Sequence, residues 1–115
     1  MSDPTPEAEP PFHLFLDVEE APMTAHALRL FIADEAHEPD IRRLGREVLS
    51  ALEGEPDEQG VLTLTLAPQQ MKITHSALRL LLNDLQREQA GEKGILHRIL
   101  EKLPDEHTMR AIELD

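Results

Sequence analysis

The amino-acid sequence predicts a small α/β or α+β domain with the order β-α-α-β-α-α-β. Three observations carry that reading. The tetrapeptide Ala27-Leu28-Arg29-Leu30 recurs, letter for letter, as Ala77-Leu78-Arg79-Leu80, fifty positions on. Each copy follows a run with period-two alternation and precedes a second run of helical periodicity. The flanks match as well. Leu14 and Leu64, Leu16 and Leu66, Met23 and Ile73, and Thr24 and Thr74 are all fifty apart. After a one-residue insertion, Leu44 matches Ile95, Val48 matches Ile99, Leu49 matches Leu100 and Leu52 matches Leu103. A fixed offset of this kind fixes architecture. The unit is strand–helix–helix, used over about 12–54 and again over 61–104, with a last strand at 108–114. Two copies are too few for a solenoid, so the expectation is one pseudo-symmetric domain spanning 12–115.

The elements follow in order. Residues 2–11 hold four prolines and three acids and no large apolar residue. They read as a disordered or polyproline-like leader, either a solubilising tail or a proline-rich ligand. Phe12, Leu14, Leu16 and Val18 alternate with His13, Phe15 and Asp17, a half-buried strand. Pro22 suits the first turn of a helix, which runs to about Ala36 and carries Ala25, Leu28, Phe31 and Ile32 on one stripe. Pro39 opens a second helix to about Leu52, with Ile41, Leu44, Val48 and Leu52 at helical spacing. Residues 53–60, with Gly54, Pro56 and Gly60, are a linker. Leu62, Leu64 and Leu66 then mark the second strand, and Pro68 opens a long helix to about Arg87. Gly91 and Gly94 are expected to break or loosen the chain before a last helix at 95–103 with Ile95, Ile99 and Leu103 inward.

The long helix is apolar on two sides. At about 100° per residue, Met71, His75, Leu78, Leu81, Leu82 and Leu85 form one stripe, and Ile73, Ala77 and Leu80 a second. The first-half helix repeats the second side with Met23, Ala27 and Leu30. Such a helix is central to the fold or covered by another chain. Ile73, Ala77, Leu80, Met23 and Leu30 are therefore the candidate interface, and a two-fold homodimer the expected partner arrangement. The alternative cover is internal, from the helices at 39–52 and 95–103.

Charge and composition exclude more than they assign. Eleven basic residues face 23 acidic ones, a net charge of −12. That surface repels phosphate backbones and anionic lipid headgroups. Three phenylalanines are the only aromatics, too few for base stacking. Neither nucleic acid nor membrane is an expected partner. No run approaches the ~18 apolar residues of a membrane span, and the start lacks a basic-then-apolar signal, so the expectation is a soluble cytoplasmic protein. The absence of cysteine excludes disulfides, thiolate catalysis and cysteine-ligated metal.

No motif supplies a chemistry. Asp34-Glu35-Ala36-His37 spells the helicase DEAH box, but no phosphate loop accompanies it. Six histidines (His13, His26, His37, His75, His97 and His107) never approach H-x-x-x-H spacing. A mixed site of Asp34, His37 and Glu38 is the nearest alternative. His75 reads as a packed histidine on the core stripe and His26 as solvated. The serines are Ser2, Ser50 and Ser76, none in G-x-S-x-G. Arg42, Arg43 and Arg46 form the densest basic cluster. They read either as an anion or partner contact or as a face paired with Glu38, Asp40 and Glu47. The function expected from these residues is a non-enzymatic interaction or regulatory protein with no cofactor or metal. The alternative is a small enzyme or metal-dependent ligand binder using histidines and carboxylates.

Overall fold

The two alternating segments pair with each other. The computed structural model describes residues 12–85, 89–104 and 106–112. In it β1 (Phe12–Leu16) and β2 (Leu62–Leu66) form an antiparallel two-stranded sheet, the one sheet among the described residues. Leu14 lies opposite Leu64, with Phe12 opposite Leu66 and Leu16 opposite Leu62. The ladder is thus centred on two residues fifty positions apart. Leu14, Leu16, Leu62, Leu64 and Leu66 are buried, while His13, Phe15, Thr63 and Thr65 face outward, as a period of two requires. Val18, read as part of the first strand, lies beyond it and is exposed. An isolated two-stranded sheet is marginal in water, so this one depends on the helices that cover its leucines.

Those helices are α1 (Glu20–Ala33), α2 (Pro39–Ala51), α3 (Pro68–Asp84), α4 (Ala90–Lys102) and the short α5 (Glu106–Arg110). The mixed helix-and-strand fold is α+β. None of the described helices is long and apolar enough to cross a membrane. α1 and α3 pack on each other, and each also contacts both α2 and α4. They are the central pair, which is what their two apolar sides require. Leu28 and Leu78 are fully buried in a core cluster shared with the strand leucines, Val48, Leu96 and Ile99. Gly45 lets α2 approach that pair. A Cβ there would stand 2.7 Å from Ile32 Cγ2 of α1 and 3.9 Å from Ile73 Cγ2 of α3.

Turn chemistry sets the boundaries. α1 stops at Ala33, three residues short of the expected end, because Asp34 leaves helical geometry and its Oδ1 accepts the Ala36 amide at 3.0 Å. In the linker Asp57 Oδ1 accepts the amides of Gln59 and Val61, and Gly60 takes a φ of +82° that glycine adopts without steric cost.

The two central helices begin alike. The Asp17 amide donates to Glu20 Oε1 at 3.0 Å, and fifty positions on the Ala67 amide donates to Gln70 Oε1 at 2.9 Å. The buried Thr24 hydroxyl donates to the Glu20 carbonyl and the buried Thr74 hydroxyl to the Gln70 carbonyl, both at 2.9 Å. Each position then ties to a flanking helix. Glu20 Oε2 accepts Arg98 Nε of α4 at 3.3 Å, whereas Gln70 Nε2 donates to Glu47 Oε1 of α2 at 3.1 Å.

Two expectations are corrected. Gly91 and Gly94 do not break the chain but lie inside α4. Both are exposed, and a Cβ at either would touch nothing. A helical glycine costs about 1 kcal/mol. Burying Leu96, Ile99 and Leu103 returns roughly 1.5–3 kcal/mol apiece, and burial wins. The third strand is also absent from the described residues. Residues 108–110 belong to α5, and the amides of Ala111 and Ile112 continue the turn by donating to the carbonyls of Thr108 and Met109. Met109 is buried and Ile112 half-buried. Three apart, they share one side of a helical turn. The leader at 1–11, Arg87 at the expected end of the long helix, and the expected strand end at 113–114 lie outside the described residues.

Candidate functional site

The second apolar side of α1 and α3 divides sharply. Ile73 and Ala77 are interior, held by the packing of α3 on α1 and α2, and Met23 is half-buried. Leu30 and Leu80 remain 49 % and 48 % exposed. Of the five candidate interface residues, only these two offer substantial surface. They line one depression together with Ala27, Ala77, Asp34 and Asp84.

A larger cleft of about 480 Å³ adjoins it, sharing Phe31, His37 and Leu80. Its apolar lining comes from Phe31, Ile41, Ile73, Leu80 and Met109. Its remaining lining is Ser76 with the basic or imidazole side chains of Lys72, Arg79, Arg110, His37 and His75. Lys72 Nζ donates to the Ile112 carbonyl at 2.5 Å, which joins α3 to the turn after α5. His37 stacks on Phe31 with ring centroids 4.0 Å apart. Its Nε2 lies 3.8 Å from Asp34 Oδ2, beyond hydrogen-bond reach. His75 is buried on α3, as its place on the core stripe predicts, and His26 is exposed.

The arginine trio does not converge on one point. Arg42 Nε donates to the His37 carbonyl at 3.2 Å, closing the α1–α2 turn, and Arg43 lies 4.0 Å from Asp40. Arg46 is exposed on α2. Among the described residues, no group of three or more His, Asp and Glu side chains is arranged to hold a metal ion.

The densest electrostatic cluster among the described residues has no counterpart among the sequence-predicted sites. Glu20 is a buried carboxylate. It accepts Lys102 Nζ as well as Arg98 Nε, and Arg98 also reaches Asp17 Oδ2 at 3.3 Å and Glu19 Oε1 at 3.2 Å. Lys102 Nζ further donates to the Phe15 carbonyl at 2.9 Å, tying α4 to β1. Burial acts to raise the Glu20 carboxyl pKa. The Lys102 hydrogen bond, the Asp17 amide and the Lys102 charge outweigh it and hold it below its ordinary value. The Asp17 carboxyl is lowered too, first by the Glu20 amide. The helix-start half of this cluster has a sequence signal: Asp17-Val18-Glu19-Glu20 has the form of a capping box, and the Asp17 and Glu20 side chains exchange amide bonds as that motif predicts. Its partners on α4, some eighty positions away, have none.

Searches against protein-family models, curated proteins and solved structures return no match.

Proposed function

We propose that this chain is a non-enzymatic interaction protein that works as a homodimer, built from two strand–helix–helix repeats about an approximate two-fold axis. One observation carries the reading. Leu30 and Leu80, fifty positions apart on the two central helices, stand half exposed around one depression. Their neighbours repeat the arrangement: Ala27 and Ala77, and Asp34 and Asp84, line the same depression. Each half contributes one leucine, one alanine and one carboxylate.

An isologous interface uses the same patch on both subunits, and a face that repeats itself offers each leucine a matching apolar partner on the second copy. Net charge argues in the same direction. Two chains of −12 repel over most of their surfaces, and a patch centred on half-exposed leucines is where they meet at least cost. Sedimentation equilibrium on the wild type, Leu30→Glu and Leu80→Glu tests this. The wild type should be a dimer. Each variant should be a monomer that melts within a few degrees of it, because half-exposed sites tolerate substitution within roughly 0.5 kcal/mol. A wild type that stays monomeric at the highest soluble concentration would contradict the proposal.

A further inference from the structure

We infer that the outer edge of β2 takes up an extended, cationic segment of a partner protein as a third strand. In an antiparallel pair, successive residues turn their backbone groups alternately toward and away from the neighbouring strand. Phe15 lies opposite Thr63, and its carbonyl accepts Lys102 Nζ from α4 at 2.9 Å. The backbone of Phe15 thus faces away from β2, and by the same alternation those of Thr63 and Thr65 face away from β1. Among the described residues no turn, loop or cap hydrogen bond reaches the backbone of either threonine, and both residues are exposed. Each leaves one donor and one acceptor open. A strand edge of this kind is a template for strand addition.

The repeat singles out this edge and the chemistry of its occupant. Phe15 matches Thr65 by the fifty-residue offset, and Lys102 of α4 matches Ala51 of α2 by the fifty-one-residue offset of the second helices. The ammonium that caps the β1 edge therefore has an exposed alanine as its counterpart on α2, the helix that packs against β2. Charge points the same way. Residues 47–71 carry Glu47, Glu53, Glu55, Asp57 and Glu58, all exposed, and no Lys, Arg or His. An incoming segment with Lys or Arg supplies what this stretch lacks, whereas a second copy would bring the same acids. Alternate residues of an added strand continue the leucine face of β2, which calls for apolar residues alternating with the cationic ones. A third strand also strengthens a sheet that is marginal with two. Thr63 and Thr65 line neither the depression nor the cleft, so this site does not rest on the homodimer.

The test is an amide-resolved NMR titration of the full chain with a capped peptide of alternating lysine and valine, at matched ionic strength. The peptide should shift the Thr63 and Thr65 amide resonances saturably. The same peptide with every backbone amide N-methylated, and one of alternating glutamate and valine, should leave them in place. Ala51→Lys rebuilds on α2 the plug that Lys102 makes on α4, and should weaken binding by roughly tenfold or more, the worth of a charged hydrogen bond. Ser50→Lys adds the same charge on the neighbouring exposed position and should weaken it only about two- to threefold. Absence of binding, equal binding of either control peptide, shifts confined to another surface, or equal losses in the two variants would each overturn the inference. So would Thr63 and Thr65 shifts on concentrating the chain alone, which would make the occupant a second copy.

Discussion

Glu20 and Gln70 occupy matching places at the starts of α1 and α3, yet they fasten the fold differently. Each accepts the amide three residues back, and each reaches a flanking helix. Glu20 does so as a buried charge held by Lys102 and Arg98, whereas Gln70 is a half-buried amide that donates to Glu47 on an exposed surface. The same local geometry is thus made once with ions and once without. The backbone needs only an acceptor at that position; the charge adds a dependence on pH and on distant partners.

The core should treat the two halves alike. Leu28→Ala and Leu78→Ala remove equivalent, fully buried side chains. Each is expected to cost about 2–5 kcal/mol, read by urea denaturation. A large disparity between them would break the equivalence of the halves at its centre. The helix starts should then separate the halves. Glu20→Ala removes an acceptor of charged hydrogen bonds and is expected to cost roughly 1.5–3 kcal/mol, against about 0.5–1.5 for Gln70→Ala. Equal losses in the same denaturation series would mean that the ionic lattice adds nothing beyond the cap.

Acid should sharpen the difference. The Glu20 carboxyl is lowered from its ordinary value of 4.5 in the folded chain. Between the two values the unfolded chain binds more protons, so stability rises with pH. The contribution of Glu20 is complete above the ordinary carboxylate range and is lost as pH falls through the folded value. The gap between wild type and Glu20→Gln should therefore be widest near neutrality and close in acid, while the gap for Gln70→Ala should change less. Melting curves at several pH values read this, and a Glu20→Gln gap that widens in acid would contradict it. The smallest expected effects are at Arg29→Ala and Arg79→Ala, both on exposed positions, each below about 1 kcal/mol.

Much of the frame was legible in the sequence, for physical reasons that also explain the failures. Period-two leucines found both strands; the fifty-residue offset marked Leu14 and Leu64 as equivalent positions but left the strand order open, and their direct pairing is a finding of the structure. The two apolar sides of the helix expected over 68–87 left two readings, a central helix or one covered by another chain, and the packing of α3 against α1, α2 and α4 makes it central. Periodicity says that a side is covered but not by what, so Ile73 and Ala77 could not be told from Leu80 before α2 and α3 were seen packed together. Gly91 and Gly94 misled because local propensity is smaller than the burial of Leu96 and Ile99. The run at 108–114 was too short for its period to separate a strand from a helical turn. The cleft was invisible, since Lys72 and Arg110 meet across nearly forty residues of intervening chain.

Two copies are proposed to meet at the repeated Leu30 and Leu80 face. The chain contains no cysteine, so a single introduced thiol reports cleanly on its surroundings. Leu30→Cys, Leu80→Cys and, as a control, Val18→Cys at a position 71 % exposed can each be modified with maleimide over a range of protein concentrations. Leu30→Cys and Leu80→Cys should become protected together as concentration rises, while Val18→Cys reacts at one constant rate. Rates at all three sites that ignore concentration would contradict the account.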